Sequence, residues 1–351
     1  MTRLINEAVR AGLASGEISG DLDGLLCNEG FIEARTGICE RRFVVPGQAS
    51  SDLAVGALQS CERTTGSIEG DGSFLRIATV TPDYPASPPT AAVVQEAMGW
   101  PCAHPDGRLI DRLVGDGSAA CTSFVTELAL AEALLRSGNR RAGYVVGADV
   151  MSTLPDPCDR AVRIILGDGA FALQLGVGEE DEDCFLPGGK SFFFGSDGSM
   201  ADLIKVPAGG SRRPVGLDDL RGAVPRLAYL HMQGNEVFKK IVRRVTDEIV
   251  LQALAKVGLQ VSDIDLFVFH QANLRMIDAV TKRLEIEART FNNIDRFGNT
   301  TSASIGLCLA EAHAKDRLKA GMRVMLVGFG GGFTWGTCIL RWPDLPVCSF
   351  L

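Results

Sequence analysis

The sequence predicts an α/β fold made of two duplicated α/β halves, and three observations carry that expectation. Short, glycine-bounded apolar runs alternate with helix-periodic segments. Two stretches of the chain match each other through a helix, a turn and a strand. The chain is also long enough, at 351 residues of which 46% are hydrophobic, to bury a core of that size.

RAGYVVGAD (141–149), FVFH (267–270) and RVMLVGFGGG (323–332) have the apolar, β-branched character of buried strands. FVTELALAEALLRSG (124–138) and EVFKKIVRRVTDEIVLQALAKVG (236–258) have helical periodicity, and both end at glycine, a common helix stop. The repeat lays CTSFVTELALAEALLRSGNRRAGYVVG, from residue 121, over TTSASIGLCLAEAHAKDRLKAGMRVMLVG, from residue 300. LALAEA falls on LCLAEA, and two extra residues in the second copy restore the fit at the strand. Cys121 is then expected opposite Thr300, beside Asn299. The halves divide as 1–180 and 181–351, and in such a fold their matching loop–helix junctions meet at one central site.

A formal charge of −8 argues against a nucleic-acid binder, and no apolar run approaches the ~20 residues of a membrane span. The ten cysteines form no CxxC pair and no metal-ligand spacing, so no metal is expected. In a chain of this length without a signal peptide they read as reduced, mostly buried thiols of a cytoplasmic protein.

One cysteine stands apart. In GSAACTSF (117–124) Cys121 sits among small residues just ahead of a helix. Unpaired N–H groups and the helix dipole there are expected to lower its pKa, and small neighbours leave room for a carbonyl to approach. His270, one of four histidines, ends a strand in FHQANLR, where it fits a core histidine as well as a catalytic one. Asn299 in RFGNTTSAS suits a helix cap or a turn as well as a site. GFGGGFTWG (328–336) either presents backbone N–H groups to an oxyanion or forms a tight turn.

GSAACTSF, VVGADVMS, CDRAVRIILGDGA, HMQGNEVFKKIV, FHQANLR, DRFGNTTSASIG and GFGGGFTWG occur in that order. From about residue 31 to residue 342 the chain resembles the β-ketoacyl-acyl-carrier-protein synthase III family, condensing enzymes of the thiolase fold. The resemblance implies two five-stranded sheets in a five-layered αβαβα core, normally as a homodimer. It implies Cys121, His270 and Asn299 as the catalytic set. The Cys121 thiolate would take the acyl group of a starter acyl-CoA, with the N–H groups of Cys121 and Gly331 as oxyanion hole, one such donor being worth ~3 kcal/mol. Malonyl-acyl-carrier protein would then lose carbon dioxide. Asn299 and a ring N–H of His270 would hold the enolate, and attack on acyl-Cys121 would give 3-oxoacyl-acyl-carrier protein, initiating fatty-acid synthesis. Coenzyme A thioester is a substrate here, and no cofactor is expected.

The same resemblance places Phe31, Arg35 and Arg160 at the adenine end of coenzyme A, with Phe31 where tryptophan is usual. It places Asn235, Ala272, Asn273 and Phe329 along the pantetheine tunnel. Lys239, Arg275, Lys282 and Arg283 would receive the acidic carrier protein, supported by an i, i+4 strip of Lys239, Lys240, Arg243 and Arg244. Pro88, Met151 and Leu166 would shape the acyl pocket, less tightly closed than one built for acetyl. Two features depart from the family. The strand that normally precedes RLINEA (3–8) has no counterpart, which is read as a late gene start, and WPDLPVCSFL (342–351) extends as a surface tail. The alternatives are a condensing enzyme or acyltransferase of a specialised polyketide or signal pathway, and a non-catalytic partner subunit. A thiolase would need a second cysteine in the terminal glycine loop, which has none.

Overall fold

Parallel pairing of three strands, with a fourth antiparallel to them, builds the first sheet. In the structure, a computed structural model, residues 2–15, 26–28, 30–178, 184–216 and 225–344 are described. The expected division at residue 180, and residues 345–351 of the tail, lie outside them. Strands β1 (Ser73–Ala78), β2 (Arg112–Gly117), β3 (Ala142–Asp149) and β4 (Gly169–Gly176) lie in the order β2-β1-β3-β4. Strand β1 is parallel to β2 and β3, whereas β3 and β4 are antiparallel. The second sheet contains β5 (Phe192–Ser196), β8 (Leu266–Phe269), β9 (Arg323–Gly330) and β10 (Thr334–Arg341), in the order β5-β10-β9-β8. A small ribbon pairs β6 (Ile204–Lys205) with β7 (His231–Met232).

Among the described residues each large sheet therefore has four strands, not five. A single parallel bridge from Phe267 to Thr290 extends β8, and β4 has a strand on one side only. Residues Thr2–Ser15 form helix α1.

Seven helices that follow position the layers: α2 (Phe31–Thr36), α3 (Ser50–Thr65), α4 (Thr90–Ala97), α5 (Ser123–Arg136), α6 (Arg160–Arg163), α7 (Gly234–Arg244) and α8 (Leu251–Lys256). A π turn, Val245–Val250, joins the last two into the long helix expected from the sequence. Further on are α9 (Leu274–Leu284), α10 (Ile294–Phe297) and α11 (Ser304–Ala314). Helix α5 packs against β1 and β3 on one side and β9 and β10 on the other, while α11 packs against β4 and β8. Two sheets enclosing these helices explain why Ser304–Ala312 is buried throughout. Phe124, Leu128, Val145, Phe171, Ile305 and Leu326 fill this central layer. Helices α3 and α4 cover the outer face of the first sheet, and α7, α8 and α9 cover the second.

The backbone corrects the register of the repeat. Ser123 and Ser304 open the two central helices, and Ala142 and Arg323 open the strands that follow them. One shift superposes both pairs, and it lays Cys121 on Ser302 rather than on Thr300. Ala120 and Thr301, partners on this register, are both non-glycine residues of positive φ, 50° and 49°. The Ser123 hydroxyl donates to the Ala120 carbonyl at 2.5 Å, and the Ser304 hydroxyl donates to the Thr301 carbonyl at 2.8 Å. Leu-Ala-Glu repetition lets the side-chain match slip along the helix, whereas the left-handed residue and the hydroxyl cap do not.

Candidate active site

Ligands of open α/β sheets bind beyond the carboxyl ends of parallel strands, and both sheets here deliver such ends to one tunnel. The tunnel encloses about 1050 Å³. Its lining runs from exposed to buried, which gives it a mouth and a floor. Arg35, Asn235 and Arg275 are exposed, and Phe31, Arg160, Ala272 and Asn273 are half-buried. Phe329 and His270 are buried at 2% and 1% exposure, and Cys121 and Asn299 share the same cavity. Met151 and Leu166 line it too, in a buried cluster with Val162 against which Val80, Leu154, Leu230 and Met232 pack.

A strained turn presents Cys121. Ala120 takes the left-handed conformation, and the Ser123 hydroxyl accepts the Ala119 N–H at 2.8 Å, closing the turn before α5. Gly330, at the end of β9, lets that strand pass Cys121, since a Cβ there would stand 2.7 Å from the Cys121 nitrogen and 3.1 Å from its sulfur. The expected lowering of the thiol pKa does not occur. Burial, reinforced by the Asp149 carboxylate, pushes it up to about 12, and the N–H groups of Cys121 and Gly331 facing the sulfur only partly oppose this. The thiol rests protonated.

His270 follows β8, its ring edge-on to Phe329 at 5.6 Å between centroids. Burial lowers its pKa to about 3, so the imidazole is neutral. Its Nδ1 lies 2.7 Å from the Ser304 hydroxyl. Asn299 is held by backbone bonds on both sides, its N–H to the Ile165 carbonyl at 2.9 Å and its carbonyl to the Gly167 N–H at 3.0 Å. Its Oδ1 accepts the Thr301 N–H at 2.9 Å, leaving the amide nitrogen as the free donor.

Behind these groups stands Asp149, which the sequence reading left unassigned. Its Oδ1 accepts the Val80 N–H at 2.7 Å and the Thr79 hydroxyl at 3.0 Å, and its Oδ2 accepts the Ser302 N–H at 2.8 Å. It ties the strand ends of the first sheet to the loop carrying Asn299. A carboxylate closing the buried run YVVGAD was the available signal, because an acid so placed needs partners. Gly330 and Ser304 lay inside quoted motifs but carried no role.

At the mouth the Arg160 guanidinium stacks over the Phe31 ring at 5.0 Å, and Arg275 donates to the Ala34 carbonyl. Lys239, Lys282 and Arg283 stay outside the tunnel lining, exposed on α7 and α9, which pack together. Lys239 pairs with Glu236 at 3.6 Å, and Arg283 grips Asp247 with two hydrogen bonds of 2.8 and 2.7 Å. Arg244 leaves the predicted basic strip: it pairs with Asp197 at 2.6 Å and lies over Phe333 and Trp335. Pro88 sits on an exposed loop and does not line the tunnel. Among the described residues no group of His, Cys, Asp or Glu could hold a metal ion, and no helix is long and apolar enough to cross a membrane.

A thiol, an imidazole and an amide at the floor of a long tunnel between two α/β halves define a thiolase-fold acyl-transferring enzyme. Residues 115–198 match the family 3-oxoacyl-(acyl-carrier-protein) synthase III, and residues 254–342 match the C-terminal family of the same enzymes. A beta-ketoacyl-(acyl-carrier-protein) synthase III of Clostridioides difficile is 39% identical over 314 residues, covering 89% of each chain. The crystal structure of the Thermus thermophilus synthase III is similar with a TM-score of 0.76 at 37% identity, over 90% of this chain and 91% of that one. The priming β-ketosynthase of the R1128 polyketide pathway has a TM-score of 0.76 at 27% identity, over 91% and 90%. This chain belongs to the β-ketoacyl-acyl-carrier-protein synthase III family.

Proposed function

We propose that the protein condenses a starter acyl-CoA with malonyl-acyl-carrier protein, by way of an acyl group on Cys121, to give 3-oxoacyl-acyl-carrier protein. The observation that carries this reading is the meeting of Cys121, His270 and Asn299 in one tunnel, with two backbone N–H groups facing the sulfur. Sulfur attacks the thioester carbonyl, and the oxygen of the tetrahedral intermediate is received by the N–H groups of Cys121 and Gly331. The bond to coenzyme A breaks, and the acyl group stays on Cys121. In the second half-reaction the carboxylate carbon of the malonyl group leaves as carbon dioxide. The freed electron pair forms an enolate whose oxygen meets the Asn299 amide. Carbon attacks acyl-Cys121, and the sulfur leaves with the bonding pair and takes up a proton from water.

Phe31 and Arg160 form a flat cationic platform that suits the adenine and phosphates of coenzyme A, with Arg35 beside it. Asn235, Ala272, Asn273 and Phe329 border the path of the pantetheine. The Met151, Val162 and Leu166 wall, backed by four more apolar side chains, suits starters longer than acetyl. Lys239, Arg275, Lys282 and Arg283 surround the mouth as the carrier-protein surface. Exposed ion pairs such as Lys239–Glu236 are worth about 0–1 kcal/mol, so these cations exchange partners readily. The halves 1–180 and 181–351 each supply part of the site. All six residues of β2 are half-exposed at a sheet edge, a surface that a second copy would cover in a homodimer, with Pro88 on the loop after β1.

A panel of radiolabelled acyl-CoA thioesters tests the reading. Label is expected on the Cys121 peptide, followed by transfer to malonyl-acyl-carrier protein as the 3-oxoacyl product. Loading that survives Cys121→Ala, or label that never transfers, would overturn it. Turnover of acetyl-CoA alone would remove the longer-chain assignment.

A further inference from the structure

We infer that Arg41 is a positioning residue for the second half-reaction: its side chain clamps the short bridge that holds Asn299 at the tunnel. The inference rests on the functional reading above and deepens it.

Asn299 belongs to neither large sheet. One isolated parallel bridge to Leu166 holds its backbone. The Asn299 N–H donates to the Ile165 carbonyl at 2.9 Å, and the Asn299 carbonyl accepts the Gly167 N–H at 3.0 Å. Asn299 thus spends both main-chain groups on the bridge, and the N–H and carbonyl of Leu166 point the other way. Leu166 is buried, so a carbonyl turned away from its bridge needs a donor of its own. Arg41 supplies it. Its Nη1 donates to the Leu166 carbonyl at 3.2 Å and to the Arg163 carbonyl at 2.6 Å. The direction of both bonds is fixed, because a guanidinium only donates and a carbonyl only accepts.

The stem of Arg41 is built into the same bridge. A Cβ on Gly298, the residue before Asn299, would stand 2.8 Å from Arg41 Cγ and 2.9 Å from its Cδ. One on Gly167, the residue after Leu166, would stand 3.5 Å from Arg41 Cβ and Cγ. The side chain therefore crosses both segments of the bridge, its stem on the two glycines and its head on the Leu166 carbonyl. Its own backbone is anchored to both segments as well. The Cys39 and Glu40 N–H groups donate to the Asp295 carbonyl at 2.7 and 2.9 Å, and Arg42 Nη1 donates to the Arg296 carbonyl at 2.7 Å. On the other side the Arg42 carbonyl accepts the Asp168 N–H at 2.9 Å, and the Val44 N–H donates to Asp168 Oδ2 at 2.9 Å. Residues 39–44 form a strap over the bridge.

Burial and the neighbouring Arg163 guanidinium lower the Arg41 pKa to about 10, so it stays a cation at neutral pH. Among the described residues no carboxylate pairs with it, and its bonds go to main-chain oxygens. A buried cation without a counterion is a poor stabilising device; what it secures is the placement of a loop. The loading machinery is carried elsewhere, by Cys121 ahead of α5 and Gly331 after β9. Loosening the strap thus shifts the amide that meets the enolate and leaves the nucleophile in place.

Arg41→Met keeps the stem and removes both donated bonds. Loading of Cys121 is followed with the shortest radiolabelled acyl-CoA that the wild type accepts. Decarboxylation is followed by the labelled carbon dioxide released from malonyl-acyl-carrier protein. Decarboxylation should fall about 10- to 100-fold, as when a donor is misplaced by a large fraction of an ångström, while loading stays within about threefold. Hydrogen exchange in the full chain should quicken about tenfold in the peptides holding Gly167 and Asn299, and stay unchanged in those holding Cys121 and Gly331. Arg41→Lys, which keeps the stem and a charged donor, should lie between wild type and Arg41→Met in both readouts. It carries the same comparison if Arg41→Met does not fold. Decarboxylation at the wild-type rate, equal losses of loading and decarboxylation, or unchanged exchange at Asn299 would each overturn the proposal. A wild type that never decarboxylates malonyl-acyl-carrier protein would sink the functional reading instead, and exchange alone would then decide whether Arg41 holds Asn299.

Discussion

Replacing Gly330 by alanine isolates how closely the second sheet fits Cys121. The residue needs no special backbone angle, so only the added methyl matters. Its Cβ would stand 2.7 Å from the Cys121 nitrogen, 2.8 Å from its Cβ and 3.1 Å from its sulfur. None of these atoms is the far end of a flexible chain, and Gly330 is itself paired with Thr334 in the β9–β10 ladder. Reaching ordinary contact moves the turn or the strand by about 0.7 Å, and overpacking of this kind costs about 1–3 kcal/mol. Displacing a nucleophile by a large fraction of an ångström lowers its rate by roughly 10- to 100-fold. Single-turnover acylation with labelled acyl-CoA, read beside a thermal melt, measures the two effects separately. Loading within about threefold of wild type, with an unchanged melt, would show that β9 does not brace Cys121.

Three further outcomes follow from the same geometry. With its thiol pushed up to about 12, Cys121 is ionised in about one molecule in ten thousand at pH 8. Its alkylation by iodoacetamide, read on the Cys121 peptide, should therefore climb about tenfold per pH unit from 7 to 10; a plateau beginning near neutrality would refute the neutral thiol. His270, lowered to about 3 from an ordinary 6.5, stays unprotonated as the pH falls, while the unfolded chain takes up its proton. Stability is therefore lost on acidification below 6.5, by about 2 kcal/mol between pH 6.5 and 5, and His270→Asn should remove that share of the slope in urea titrations. Equal slopes in the two proteins would contradict the burial. Lys282→Glu, on the exposed face of α9, should raise the KM for the carrier protein about three- to tenfold and spare acyl-CoA loading. A parallel fall in both would show that this face does not dock the carrier.

The sequence was most legible where local pattern and tertiary demand agree. The strand reading 141–149 became Ala142–Asp149, and FVFH became Leu266–Phe269 with His270 just beyond it. Strands β1 and β2 went unread: SFLRIA carries an inward-facing arginine, and RLVGDG is two-thirds glycine and charge. The repeat was visible but slipped, because helices rich in leucine, alanine and glutamate resemble themselves after a small shift. What sets the true register is a left-handed backbone at Ala120 and Thr301, and neither residue is a glycine that would announce it. The placement of Cys121 at a helix start was sound, yet the conclusion drawn from it was not. A helix terminus lowers a thiol pKa when water or cations help, and this one stands deep in a tunnel with a carboxylate nearby.

That reversal constrains the chemistry. An exposed cysteine beside a helix end would rest as a thiolate, and a thiolate–imidazolium pair would be the natural reading of Cys121 and His270. Here burial holds both in their neutral forms, and Asp149 opposes negative charge on the sulfur. Charge is then favourable only where fixed dipoles await it: the N–H groups of Cys121 and Gly331 facing the sulfur, and the amide of Asn299. None of these donors can stabilise a transition state until a thioester brings an oxygen to them. A thiol that rests in its neutral form therefore spends little reactivity on stray electrophiles.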